Sequence, residues 1–306
     1  MAIVGPTAVG KTGVAVRVCS SIGGEIISAD SRQTYRGMDI GTAKPTPHEL
    51  DAARHHLVDI IDPSERYDAA RFARDAESVA TSLLKNGLEP IVVGGTGFYV
   101  ASLFEGLFEG SGRHPEIRAR LEKEADRLGS PRLHERLAEV DSETAARLHP
   151  NDAVRVIRAL EVHEATGRPL SAWHESGRRT TRYEAWYVVL RMDRDELYER
   201  IEGRVDAMVE RGLVREIEGL LASGSLEEGM PAADALGYRG LLPVIRGERD
   251  LRDAVKEIKR NTRRFAKRQM TWFARTTPAL EIDVGELGVE EAAERIAAAW
   301  CDTRPT

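Results

Sequence analysis

The chain begins with a short apolar run, Met1–Val4, which is followed at once by the octet GPTAVGKT at residues 5–12. In this octet two glycines bracket four residues and a lysine and a threonine follow, which is the spacing of a phosphate-binding loop. The glycines let the backbone curl so that its amides face phosphate oxygens, and the following helix adds its positive end. The octet therefore predicts a strand–loop–helix unit in a parallel α/β sheet.

Each residue type in this loop has a defined use. Lys11 supplies a positive charge for the phosphates, and the Thr12 hydroxyl is a typical ligand of Mg²⁺. In most proteins with this loop the phosphates belong to a nucleotide such as ATP. The predicted diphosphate- or nucleotide-binding residues are Gly5, Pro6, Thr7, Ala8, Val9, Gly10, Lys11 and Thr12.

The carboxylate that a kinase needs is missing from its usual place. A nucleotide hydrolase or kinase has a buried strand that ends in a metal-holding Asp, whereas the strand candidate IVVGG ends in Gly94 and Gly95. A carboxylate follows a different strand, at Asp30 after IISA. Open α/β sheets present substrate groups at such strand ends. Asp30 either serves as a base or acceptor facing a second substrate, caps the following turn, or helps to hold the metal.

The rest of the chain alternates between strand and helix signals. Such an alternation predicts an α/β fold of the phosphate-loop NTPase type, with a parallel sheet flanked by helices. A charged stretch poor in β-branched residues predicts a helical insertion domain at 113–182, between core segments 1–112 and 183–306, and the C-terminal third is predicted to be helical. The predicted strands are 25–30, 54–63, the start of 90–100 and 185–192, and the predicted helices are 68–87 and 194–211.

Composition narrows the classes of function. No stretch approaches the roughly 18 apolar residues of a membrane span, and Cys19 and Cys301 form no C-x-x-C motif, so a soluble cytoplasmic protein without a disulfide framework or Cys-rich zinc site is expected. The net charge is -6, but segment 256–275 holds eight basic residues against Glu257 alone. A basic stripe on an acidic chain indicates a polyanionic partner.

A series of strings extends the signal of the loop. GPTAVGKT, ISADSRQTYRGMDIGTAKPT, HHLVDIIDP, VVGGTGFY, HPNDAVRVIRALEV, LGYR and AKRQMTWF occur in this order. The chain thereby resembles the tRNA dimethylallyltransferase (isopentenyl-tRNA transferase) family, from Gly5 to about Arg275. The resemblance implies transfer of the dimethylallyl group of dimethylallyl diphosphate to N6 of the adenosine 3′-adjacent to the anticodon, with Mg²⁺ as cofactor and the tRNA anticodon stem-loop as partner. A monomer without a membrane partner is expected, although the sequence does not fix the oligomeric state. The loop would then hold a diphosphate leaving group.

The resemblance also implies roles for individual residues. Asp30 matches the family's base, and Thr96 in GGTG would lie near the same amine, although Thr96 is equally suited to cap a helix. Together with Lys11 they form the predicted catalytic set. The target adenosine would leave its stack and enter a channel. The predicted tRNA-binding residues are Asp30, Ser31, Arg32, Gln33, Thr96, Arg155, Arg158, Gly237, Tyr238, Arg239, Arg263, Arg264, Lys267 and Arg268, with Tyr238 and Arg239 suited to stacking on anticodon-loop bases.

Three further groups stay open at this stage. Arg200 and Arg204 share a helix face. One of them, with Arg204 preferred, would close on the diphosphate. The alternative is that they form salt bridges with Glu196 or Glu199. His55 and His56 would point to opposite faces of a strand, so they do not chelate one ion. Arg155 and Arg158 contact tRNA or line a solvated helix face.

Other functions compete with tRNA prenylation. A small-molecule kinase would need a metal-holding Asp on the IVVGG strand and an Arg-rich lid. Prenyl transfer to free AMP or ATP would leave the basic segment and the helical insertion without a use. A tRNA-binding module without catalysis would have no need for Lys11 and Thr12 in a phosphate loop.

Overall fold

The computed structural model describes residues 1–107, 112–175 and 183–303. The chain forms two compact units. One comprises Met1–Phe104 and Tyr183–Thr306, and the other comprises Glu105–Arg182. Each unit has its own hydrophobic core.

The first segment of the larger unit alternates strands and helices. Asp68 caps its longest helix by accepting a hydrogen bond from the Arg71 amide, which satisfies one of the free N–H groups of the first turn. The elements are β1 (Ala2–Val4), α1 (Lys11–Ile22), β2 (Gly24–Ser28), α2 (Pro47–Ala52), β3 (His55–His56), α3 (Ala69–Lys85), β4 (Glu89–Gly94) and α4 (Gly97–Phe104).

The smaller unit is helical over its described residues. A buried leucine cluster with Val156 and Ile157 forms its core. Glu161 is also buried here, where its carboxylate accepts hydrogen bonds from the His114 amide and from Arg118. The helices are α5 (Pro115–Leu128), α6 (Ser130–Val140), α7 (Ser142–Arg147), α8 (Ala153–Thr166) and α9 (Leu170–Glu175).

The last segment returns to the sheet and adds long helices. The elements are β5 (Tyr187–Arg191), α10 (Arg194–Glu210), α11 (Leu213–Ala222), a 3₁₀ turn (Pro231–Asp234), α12 (Leu236–Ile245), α13 (Leu251–Phe273), β6 (Leu280–Asp283) and α14 (Val284–Asp302). Among the described residues, no helix has both the length and the apolar character needed to cross a membrane.

The strands form one parallel sheet in the order β3-β2-β4-β1-β5-β6. The α/β fold with a flanked parallel sheet is therefore confirmed. β1 lies at the centre with apolar side chains on both faces, because Ala2 and Val4 join one core cluster and Ile3 joins the other. The loop that follows β1 thus lies at the carboxyl edge of the sheet, beside the ends of β4 and β5.

Two strand predictions need correction. Only His55–His56 of the predicted strand 54–63 is extended in the sheet, because Leu57 and Asp59 have φ values of 64° and 56°, which interrupt an extended chain. Strand β6, Leu280–Asp283, was not predicted. It pairs with β5 over four residues, too short a run to give a periodic signal within a segment of helical character.

Candidate active site

The phosphate loop connects β1 to α1. Gly10 precedes α1 with a φ of 100°, a conformation that favours glycine. At Gly5 a β-carbon would lie 2.6 Å from the Leu190 carbonyl oxygen of the neighbouring strand β5. Both glycines of the motif are therefore required by the shape of the loop.

Lys11 is folded back onto this loop. Its Nζ donates hydrogen bonds to the carbonyl oxygens of Gly5, at 3.1 Å, and of Pro6, at 2.7 Å. Burial lowers the pKa of Lys11 to about 8, with the nearby Arg204 charge acting in the same direction and the Asp30 carboxylate opposing both. An anion bound in the loop would favour the charged ammonium.

The two arginines on α10 have different surroundings. Arg204 donates from Nη2 to the Thr7 hydroxyl at 2.5 Å, and its buried Nε has no hydrogen-bond partner among the described residues. Arg200 forms a surface ion pair with Glu196 at 3.0 Å. The structure therefore directs Arg204, and not Arg200, toward the phosphate loop.

Asp30 and Thr96 follow β2 and β4, which are adjacent strands. Asp30 Oδ1 accepts a hydrogen bond from the Arg32 amide at 2.8 Å. The Thr96 hydroxyl accepts one from the Ser31 amide at 3.1 Å. This hydroxyl thus joins two loops of the site, and among the described residues no amide of α4 donates a hydrogen bond to it.

Arg204, Asp30 and Thr96 meet in a cavity of about 440 Å³ in the larger unit. Its volume falls in the range of small-molecule sites. Phosphate-loop residue Thr7 and Arg204 lie at this cavity together with Asp30 and Thr96. Other predicted site residues on its wall are Ser31, Arg32, Gly237, Arg239 and Arg268, and its apolar residues include Val205, Met208, Leu213, Ile258 and Phe265.

A smaller adjoining cavity is lined by Lys11, Thr12, Asp30, Gln33 and His55, among others. The Nε2 atom of His55 is buried there without a hydrogen-bond partner in the described part of the chain, and burial lowers the pKa of this histidine. Its neighbour on β3 instead contacts Glu25 at 2.5 Å. Within residues 1–107, 112–175 and 183–303, no three His, Cys, Asp or Glu side chains are grouped to hold a metal.

The stacking role predicted for Tyr238 is wrong. This side chain is 0 % exposed, and its hydroxyl donates a hydrogen bond to Glu216 at 2.5 Å. Its neighbours Gly237 and Arg239 lie at the larger cavity, with Arg239 exposed. A ring enclosed by protein on all sides cannot stack on an RNA base.

The glycine-rich turn at residues 94–97 is shaped by its protein neighbours. A β-carbon at Gly94 would lie 2.1 Å from the Ala29 carbonyl oxygen, and one at Gly95 would lie 2.2 Å from Nε2 of Gln269. Gln269 is 6 % exposed and bonds two loops of the site. The sequence alone gives no signal for this role, because no local motif identifies the partners of Gln269.

Helix α13 carries most of the basic segment, and its cations fall into two groups. Arg263 forms an ion pair with Glu202 on α10. Arg264 and Lys267 are exposed and have no carboxylate partner within the described residues. The paired group is completed by Lys256 with Asp253, Lys259 with Asp206 and Arg260 with Glu257.

The two predicted tRNA-binding arginines of the smaller unit lie on α8. Arg155 is exposed and forms an ion pair with Asp152 at 3.1 Å. Arg158 is held more firmly, because it contacts the buried Glu161 at 3.2 Å and donates to the Gly112 carbonyl at 2.9 Å. Arg155 is therefore the freer of the two.

The chain is similar to known proteins over most of its length. Residues 33–276 match the model of a family described as IPP transferase, and residues 1–62 match one described as isopentenyl transferase. A tRNA dimethylallyltransferase of Syntrophobacter fumaroxidans is 48% identical over 89% of this chain and 79% of its own.

Two solved structures are similar over 99% of this chain. The first is a tRNA delta(2)-isopentenylpyrophosphate transferase from Staphylococcus epidermidis, with 35% identity, a TM-score of 0.72 and 98% of that chain covered. The second is a eukaryotic dimethylallyltransferase acting on tRNA, with 28% identity, a TM-score of 0.84 and 79% of that chain covered. The chain belongs to the tRNA dimethylallyltransferase family of IPP transferases.

Proposed function

We propose that this protein transfers the dimethylallyl group of dimethylallyl diphosphate to N6 of the adenosine 3′-adjacent to the anticodon in tRNA and releases diphosphate. The observation that carries the proposal is the single cavity in which phosphate-loop residue Thr7 and Arg204 face Asp30 and Thr96. Transfer between two substrates needs one space that both reach, with anion-binding groups at one end and a proton acceptor at the other.

The donor's diphosphate would lie against the phosphate loop. Lys11 would exchange its hydrogen bonds to the Gly5 and Pro6 carbonyls for phosphate oxygens, and Arg204 offers an Nε that has no hydrogen-bond partner in the described part of the chain. Charge accumulates on the leaving oxygens as the C–O bond breaks. A preorganised hydrogen-bond donor aimed at such charge lowers the activation free energy by about 3 kcal/mol.

Mg²⁺ fits this end of the site. Thr12 and Asp30 line one small cavity, and Mg²⁺ is commonly held by one or two protein oxygens together with substrate phosphates. Thr12 is the protein ligand that we propose, and Asp30 is near enough to the same cavity to assist. When bound, the ion would neutralise charge on the departing diphosphate.

The acceptor amine would lie beside Asp30 and Thr96. The lone pair of N6 is delocalised into the adenine ring, so its protons become acidic only as the new C–N bond forms. N6 bonds to C1 of the dimethylallyl group, the diphosphate leaves with the electron pair of the C–O bond, and Asp30 takes the N6 proton. A carboxylate can accept the proton at this late stage, because the amine has become acidic by then.

The prenyl chain would lie on the apolar part of the cavity wall. Side chains of α10, α11 and α13 provide this surface, with Met208, Leu213 and Phe265 as examples. Enclosing the allylic carbon also keeps water from the reacting centre. The same cavity has room for a base extruded from the anticodon loop.

The tRNA backbone would be bound by cations of α13, of which Arg268 also lies at the cavity, and by cations of the smaller unit. We propose contacts from Arg264, Lys267 and Arg268 on α13, with Arg263 reaching the backbone only if it leaves Glu202. Arg155 and Arg158 would contact tRNA from the smaller unit, which we propose is an insertion domain. At the cavity itself, Ser31, Arg32 and Arg239 are suited to the flanking nucleotides, with Gln33 and Gly237 supporting the adjoining loops.

The competing kinase function has less support. β4 ends in Gly94 and the turn that follows has no carboxylate, and Asp30 lies after β2 instead.

We also propose that the protein acts as a monomer in the cytoplasm.

The test is transfer of label from dimethylallyl diphosphate in the presence of Mg²⁺, with unmodified tRNA or with AMP as acceptor and without ATP. We expect label in tRNA alone. Label in AMP at a comparable rate would favour transfer to a free nucleotide, and a strict need for ATP hydrolysis would exclude the proposed use of the loop. Size-exclusion chromatography with light scattering would test the monomer.

A further inference from the structure

Gln269 links the two loops that the reaction must hold at a fixed distance. Its side-chain Oε1 accepts a hydrogen bond from the Thr7 amide at 2.8 Å, and its Nε2 donates one to the Gly95 carbonyl at 2.8 Å. Thr7 belongs to the phosphate loop and Gly95 immediately precedes Thr96. The side-chain amide of this one residue on α13 therefore connects the loop proposed to bind the prenyl donor with the turn proposed to bind the adenosine.

The surroundings of this side chain leave it little freedom. Gln269 is almost fully buried, and the space beside it exists because residue 95 has no side chain. Trp272, one helical turn later, fills the corresponding space at Gly97, where a β-carbon would lie 2.2 Å from its Nε1. The two glycines that flank Thr96 thus fit two side chains of α13.

The link needs both a donor and an acceptor. A carboxylate at this position would still accept from the Thr7 amide but would face the Gly95 carbonyl with a second acceptor. Because the Thr7 amide donates its hydrogen bond to Gln269, it is not available to bind phosphate. The loop is therefore held from one side, which leaves the amides after Thr7 for the ligand.

We propose that Gln269 is a positioning residue that sets the distance between the bound diphosphate and the acceptor amine at Asp30 and Thr96. This role rests on the proposed function. Misplacing two reacting groups by about 1 Å costs about a hundredfold in rate. Because Arg264 and Lys267 lie on the exposed face of the same helix, binding of tRNA there and alignment of the two loops would depend on one rigid element.

The experiment compares Gln269→Glu and Gln269→Ala with the wild-type protein and with a control, Thr271→Ala. Thr271 lies on α13, and its hydroxyl contacts only the helix carbonyl of Lys267 among described groups. Single-turnover transfer is measured at saturating donor and tRNA, and the dissociation constant of each substrate is measured separately. We expect transfer to fall about a hundredfold in both variants while each dissociation constant changes less than about threefold.

A second comparison separates positioning from packing. In Gln269→Ala the space beside residue 95 is empty, so adding Gly95→Ala fills part of it without restoring either hydrogen bond. We expect the double variant to melt at a higher temperature than Gln269→Ala and to transfer as slowly.

Three results would overturn the positioning role. These are transfer within threefold of wild type in a folded Gln269 variant, recovery of the rate together with the melting temperature in the double variant, and equal losses in rate and in both affinities. Wild-type protein that labels no tRNA would instead refute the proposed function, so the two failures are distinguishable.

Discussion

The two cations that contact the phosphate loop and the cations of α13 differ in what surrounds them. Lys11 and Arg204 are enclosed and donate hydrogen bonds to neutral oxygens of the phosphate loop. Those on α13 are more numerous and most are solvent-exposed, and several, such as the partly buried Lys259 and Arg263, are already paired with carboxylates. Enclosed charges interact strongly and are little affected by salt, whereas exposed charges are weak individually and screened. We therefore expect cavity substitutions to alter chemistry and donor binding, and substitutions on α13 to alter tRNA affinity and its salt dependence.

The largest effect is expected from Asp30→Asn. Asparagine keeps the size and shape of Asp30 but cannot take the N6 proton, so single-turnover transfer should fall by about 10² to 10⁴. Donor and tRNA dissociation constants should stay near wild type.

If Asp30 instead mainly holds the metal, the Asn variant should first lose Mg²⁺ dependence and donor affinity. Full single-turnover activity in Asp30→Asn would remove the base role outright.

A smaller loss of transfer rate is expected from Arg204→Ala, and Arg200→Ala serves as the comparison. Arg204→Ala removes a group that lies at the phosphate loop, and we expect about a hundredfold loss in transfer, on the scale of one transition-state donor. Arg200→Ala breaks an exposed pair with Glu196, which is worth only about 0.3–0.5 kcal/mol.

The matched variant one helical turn away thus acts as the control for helix α10. Rates that fall equally in both would show that the helix, and not the guanidinium of Arg204, supports the site.

The sequence predicted the parts of this site that are encoded locally. The octet at 5–12 fixes the loop, and the strand-to-turn positions of Asp30 and Thr96 follow from the carboxyl-edge rule. It preferred Arg204 to Arg200 but left both open, because the two share one helix face and only the packing of α10 against the loop distinguishes them.

The basic segment 256–275 shows a second limit of prediction from sequence, which is that ion-pair partners distant along the chain are not visible. Counting charges in 256–275 overstates the cations available to RNA, because the partners of Lys259 and Arg263 lie on α10, more than 50 residues earlier. Gln269 was missed for the same reason, since its two partners, Thr7 and Gly95, lie in the first third of the chain, more than 170 residues earlier. The fold was predicted well except where backbone conformation at Leu57 and Asp59, or pairing of the short β6, decided the outcome.

An effect of about tenfold on tRNA affinity is expected from the double change Arg264→Gln with Lys267→Gln. Each phosphate contact that is lost should reduce the slope of log affinity against log salt by about 0.7–0.9. The matched control is Lys256→Gln with Arg260→Gln, which removes equal charge from the same helix at positions already paired with carboxylates.

The salt slope of the control should stay close to wild type, and donor affinity should not change in either protein. Equal slopes in both double variants would mean that exposure and pairing on α13 do not decide which cations contact tRNA.

The smallest effect is a pH dependence of donor binding that arises from Lys11 and not from the cations of α13. The pKa of Lys11 in the free protein is about 8, and only the protonated ammonium attracts the diphosphate. Raising the pH through 8 therefore removes the binding form, so kcat/KM for dimethylallyl diphosphate should be about fivefold lower at pH 9 than at pH 8, while kcat, which reports the complex, changes less. Lys11→Arg keeps its charge throughout this range and should lose the decline, even if it is slower at every pH. A decline of the same size in Lys11→Arg would assign the titration to another group.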